Sequence, residues 1–139
     1  MSTLKKIKLN SNNIRYGPEP SIGSEVEQNL TINSKGQVWF TGYNYDRGSD
    51  HYPTGRKIRK NIGAEKANEI LNDIKVYFND RDIDFVCDAG SYTLSVYDED
   101  DSVGIVYGPL IPDSSLDDLC EKIRSVVDID ALFLFDGQI

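Results

Sequence analysis

Leu30-Thr31-Ile32, then Ser34-Lys35-Gly36-Gln37, then Val38-Trp39-Phe40-Thr41 form two alternating runs around a polar turn, and a helical pattern follows from Ala64 to Phe78. The same order returns later. Tyr92 to Tyr97 and Val103 to Tyr107 alternate around Asp98-Glu99-Asp100-Asp101, and a second helical pattern runs from Ser115 to Val127. Side chains alternate across a strand and recur every three to four residues on a helix, so these periods predict two hairpins, each followed by a helix.

In the first hairpin Leu30, Ile32, Val38 and Phe40 share one parity, while Trp39, Thr41, Tyr43 and Tyr45 share the other. One face of the predicted sheet is aliphatic and the other aromatic. The first helix carries Ala67, Ile70, Leu71, Ile74, Tyr77 and Phe78 on one stripe, and the second carries Leu116, Leu119, Cys120, Ile123, Val126 and Val127. Both stripes need the same kind of partner, which places both helices on one face of the sheet.

The flanking segments complete the expected fold. Leu4 to Leu9 interleaves Lys5, Lys6 and Lys8 with apolar residues, which suits an edge strand whose lysines discourage further pairing. Asn10 to Asn13 reads as a turn, Ile14 to Tyr16 as a short return, and the Gly/Pro-rich stretch from Gly17 to Ser24 as a surface loop. Ile83 to Cys87 alternates like a strand. Leu132-Phe133-Leu134-Phe135 is apolar on both parities, as in a central strand covered on both faces or a strand closing the sheet. The expectation is one α+β domain over residues 1–139: a mainly antiparallel sheet of about five to seven strands with two amphipathic helices on one face.

Bulk composition narrows the function classes. With 139 residues, 39% apolar and 27% charged, the chain is expected to fold around one core. The longest apolar run, Ala131 to Phe135, is too short to span a bilayer, and the cations near Met1 precede no apolar segment, so a cytoplasmic protein is expected. Cys87 and Cys120 make no disulfide framework. Acids outnumber cations 23 to 15, and the net charge of −8 disfavours nucleic acid and anionic membrane as partners.

Charge is distributed unevenly. Asp46 to Lys60 holds Arg47, Arg56, Lys57, Arg59 and Lys60 against Asp46 and Asp50. Asp80 to Asp101 holds Asp80, Asp82, Asp84, Asp88, Asp98, Glu99, Asp100 and Asp101 against Arg81. The connection from Asn44 to Ile62 reads as a long loop, a type that often carries function. It contains Tyr45, the only histidine (His51), Tyr52, Arg56, Lys57 and Arg59, and it follows Trp39 and Tyr43. These residues, with Asp98 and Asp100 of the acidic stretch, are the candidate binding residues.

No catalytic signature is present. His51 has no nucleophile at a telling spacing, and Cys87 reads as a small buried hydrophobe. The turn at Asp98 to Asp101 lacks the spaced ligands of a calcium loop, and the pairs Asp82/Asp84 and Asp128/Asp130 lack the flanking pattern of a metal site. Asp73-Ile74-Lys75 matches the end of a nuclease motif, but sits in the first helix. No cofactor and no metal are expected.

The sequence therefore points to a protein-interaction module, an inhibitor or neutraliser of a basic partner of the immunity or anti-defence type, steered by its acidic stretch. The alternative is an enzyme or binder of a small anionic ligand using the 44–62 connection. A homodimer pairing the cationic and acidic stretches is a third arrangement.

Overall fold

The computed structural model describes residues 4–12, 23–46, 53–78, 91–99, 103–109, 114–129 and 132–134. Its strands are β1 (Leu4–Asn12), β2 (Glu25–Asn33), β3 (Gln37–Asn44), β4 (Thr54–Asn61), β5 (Ser91–Asp98) and β6 (Val103–Pro109), with helices α1 (Ala64–Phe78) and α2 (Ser114–Val127). They form a six-stranded sheet in the order β4-β3-β2-β1-β5-β6, with every neighbouring pair antiparallel. This is the expected α+β architecture.

The first hairpin shows how local chemistry sets register. The Asn33 Oδ1 accepts hydrogen bonds from the backbone N–H groups of Lys35 (3.1 Å) and Gln37 (3.0 Å), and Gly36 closes the turn at φ +93°. A side chain at Gly36 would be strained twice over: the φ is left-handed, and a Cβ would lie 2.5 Å from the backbone of Gly63. The turn pairs Ile32 with Val38 and Leu30 with Phe40. All four are buried on one face.

That inner face continues across the sheet through Ile7, Leu9, Leu94 and Val96, and packs with Ala67, Ile70, Leu71 and Ile74 of α1 and Leu119, Cys120, Ile123 and Val127 of α2 in one apolar cluster. Each fully buried aliphatic side chain contributes roughly 1.5–3 kcal/mol. Both helices lie on this side.

Three segments depart from expectation. Leu4 to Leu9 is not at an edge, because β1 is flanked by β2 and β5 and continues as a strand through Asn12. Lysine side chains stand perpendicular to the sheet and leave the backbone edges open, so Lys6 and Lys8 can face outward while both edges pair. The 44–62 connection is not one loop. Its second part is β4, an eight-residue strand at the true edge, where alternating cations blunt further pairing.

Leu132, Phe133 and Leu134 are buried but form no strand. They are apolar on both parities because an irregular segment packs over the inner face and is covered on all sides. Its peptide groups are satisfied by side chains instead of a ladder. The Phe133 N–H donates to the buried Gln28 Oε1 at 2.7 Å, the Leu134 carbonyl accepts from the buried Ser11 Oγ at 2.7 Å, and Arg124 donates to the carbonyls of Leu132 and Phe133. Leu134 is held at φ 50°, a backbone region that costs such a residue about 1–3 kcal/mol and needs this kind of clamp. The expected segments Ile14–Tyr16, Gly17–Ile22 and Ile83–Cys87 lie outside the described residues.

Candidate functional site

The alternation that buries one side of the sheet sends the other parity outward. Cross-strand register aligns Arg59, Trp39, Thr31, Lys8, Ser95 and Ile105 in a row that crosses all six strands. The next row is Lys57, Thr41, Asn29, Asn10 and Thr93. Trp39, Thr31 and Asn29 are half-buried, whereas Lys8, Lys57, Arg59 and Ile105 are exposed. At the usual strand spacing the six strands span about 24 Å, and with ~20 Å along a strand the face covers roughly 500 Å². That is a large part of one partner's share of a standard interface, ~800 Å².

The face has an ordered polar centre. Asn10 Nδ2 donates to Glu27 Oε2 and to Asn29 Oδ1, both at 2.7 Å, and Asn29 Nδ2 donates to the Tyr43 hydroxyl at 3.1 Å. Cations stacked on aromatic rings flank it. The Lys6 and Lys8 ammonium groups lie 4.5 and 5.7 Å from the centre of the Tyr97 ring, and the Arg59 guanidinium lies 5.9 Å from Trp39. Such contacts are worth about 0.5–1 kcal/mol at exposed sites, enough to favour one placement of a long side chain.

The face carries Lys6, Lys8, Lys57 and Arg59 against Glu27. Among the described residues none of these four cations is in an ion pair. Cations on the inner side behave differently. Arg56 is bound through two nitrogens to Glu25, at 2.9 and 2.6 Å, and lies 4.9 Å from the centre of the inner Phe40 ring. Gly42 makes room for this pair, since a Cβ there would fall 2.0 Å from Glu25 Oε2. Gln28 joins the network by donating to Glu25 Oε1 at 2.7 Å. Lys60 donates to the carbonyl of Asp128 at the end of α2, where a cation complements the helix dipole.

The helix layer pairs its charges too. Lys122 of α2 reaches Asp73 of α1 at 2.7 Å and Glu69 at 3.8 Å. The hydrogen bond to Asp73, helped by the charges of Asp73 and Glu69, raises the Lys122 pKa above its ordinary value, and desolvation opposes the rise.

The sequence-based candidates are thus sorted by the sheet. Trp39, Tyr43, Lys57 and Arg59 share the outer face. Arg56 does not; it is a structural residue of the inner side, because the strand period turns it away from its neighbour Lys57. Tyr45 is half-buried just beyond β3, with its N–H bonded to the Ser24 carbonyl at 2.7 Å. Asp98 ends β5 opposite Leu4, three strands from Trp39. His51, Tyr52 and Asp100 lie outside the described residues, as do Asp82, Asp84, Cys87 and Asp130.

Sequence reasoning passed over Lys6, Lys8, Asn10, Glu27, Asn29 and Tyr97. Their outward parity was legible in the alternation of their strands, but their common location depends on β1 pairing with both β2 and β5. Among the described residues no group of three or more His, Cys, Asp and Glu is placed to hold a metal ion. No helix among them is long and apolar enough to cross a membrane. Neither a protein-family model nor a curated protein sequence matches the chain.

Proposed function

We propose that this chain is a protein-interaction module whose contact surface is the outer face of the sheet. The observation that carries the reading is the Trp39/Arg59 and Tyr97/Lys6/Lys8 pairs flanking the Asn10–Asn29–Tyr43 network, on the side opposite both helices. Trp, Tyr and Arg dominate interface energetics because each brings large area with a polar handle. Here a bonded polar centre already holds its side chains, so less entropy is lost on docking.

A photoreactive residue at Thr31, in the middle of this face, is expected to cross-link to a protein in the cell of origin, whereas one at Glu69 on α1 is not. A cross-link to a second copy of the chain would assign the face to self-association. Cross-links from Glu69 alone would sink the reading.

The second reading is a neutraliser of a basic protein, of the immunity or anti-defence type, that docks through the acidic stretch ending at Asp98 to Asp101. The net charge of −8 favours it, because a field of that sign steers a cationic partner inward. Asp98→Lys is expected to slow that association, and an unchanged association rate would remove Asp98 from the contact.

A further inference from the structure

We infer that the occupant of the outer face is an acidic protein surface. This inference rests on the interaction reading above and assigns the chemistry of the partner. Among the described residues Lys6, Lys8, Lys57 and Arg59 stand on this face with Glu27 as the facing carboxylate, in a chain whose net charge is −8. Charge has been sorted between surfaces. Three of the four cations are steadied on aromatic rings, which place a positive charge without neutralising it as a carboxylate would.

Carboxylates arriving on this face would meet cations already positioned, with the second hydrogen of Asn29 Nδ2 left to donate at the centre. The other polyanion such a face suggests is a single-stranded nucleic acid, which needs open ring faces for base stacking. Here the Tyr97 ring is covered by the Lys6 and Lys8 ammonium groups, at 4.5 and 5.7 Å. Tyr97 and Trp39 are also three strands apart, about 14 Å, too far to stack successive bases. The net charge of −8 opposes both kinds of polyanion equally at long range, so the choice between them rests on the covered rings and their separation.

The test is a nuclear magnetic resonance titration of the full chain at low ionic strength, with a poly-glutamate peptide and an oligouridylate of equal charge as probes. The peptide is expected to move the amide signals of β1 to β4, and the oligouridylate to leave them in place. The Lys8→Glu/Arg59→Glu variant is expected to weaken peptide binding by about tenfold or more and to keep the wild-type spectrum in the helices. Peptide shifts confined to other surfaces, no shifts at all, or stronger shifts with the oligouridylate would overturn the inference. A Thr31 cross-link to a protein that survives the same charge reversals would leave the interaction reading standing while removing the acidic partner. Loss of the cross-link in Trp39→Ala/Tyr97→Ala, with the fold intact, would tie that contact to the rings.

Discussion

The two faces of one sheet, built from the same strands, handle charge in opposite ways. On the inner face Arg56 and Lys60 are spent on Glu25 and on the end of α2, and Ser11 and Gln28 tie down the crossing segment at Phe133 and Leu134. On the outer face Lys6, Lys8 and Arg59 rest on rings, and Lys57 stands in the next row. Burial explains this for Ser11 and Gln28, whereas Arg56 and Lys60 are only partly covered and take the carboxylate and carbonyl that lie within their reach. A polar group enclosed by the helices must find a partner or lose about 1–3 kcal/mol, whereas one facing solvent is satisfied by water and is open to a ligand.

The adjacent residues Trp39 and Phe40 offer the sharpest way to break this contrast. Phe40→Ala, which empties a buried site, is expected to lower stability by about 3–5 kcal/mol in urea denaturation, while Trp39→Ala lowers it by only about 1 kcal/mol. Equal losses would mean that the outer face is enclosed like the inner one. Ser11→Ala comes next, at about 2 kcal/mol, because it strips the buried Leu134 carbonyl of its donor. Faster hydrogen exchange at Phe133 would accompany it.

Arg56→Ala is expected to cost about 1–2 kcal/mol, since it leaves Glu25 partly buried without its partner, whereas Arg59→Ala stays within about 0.5 kcal/mol. Thermal melts of the two single variants would compare cations three residues apart on opposite faces. Among the paired cations the smallest effect belongs to Lys122→Met, at most about 1 kcal/mol, because the pair with Asp73 is more than a third exposed on both sides. The folded Lys122 pKa is raised above the ordinary 10.5, so its stabilising contribution is full below that value and disappears as pH rises through the folded pKa. The difference from wild type is therefore expected to be constant from pH 7 to 9 and to shrink in the alkaline range.

Much of this contrast was legible in the chain. The parity of Leu30, Ile32, Val38 and Phe40 against Trp39, Thr41 and Tyr43 separates the two faces in the sequence itself, because the strand period is two. The stripes of α1 and α2 were legible for the same reason at a longer period. β4 was not. Its alternation is written in Arg56, Lys57, Arg59 and Lys60 with Ile58 as its apolar residue, and a run of cations has the same composition in a loop and in an edge strand. The Leu132 segment misled in the opposite sense, since burial on all sides looks alike in a central strand and in an irregular plug.

Alternation and spacing in the amino-acid sequence were enough to determine two hairpins, two core-packing helices and an aromatic strand face, because side-chain direction follows from backbone period alone. Only the tertiary structure decided that β1 lies between β2 and β5, that Arg56 belongs to the interior network, and that Lys6 and Lys8 stand over Tyr97. Those arrangements join residues far apart along the chain. Which strand neighbours which is set by the packing of the whole inner face under its helices, and local period carries no record of that choice.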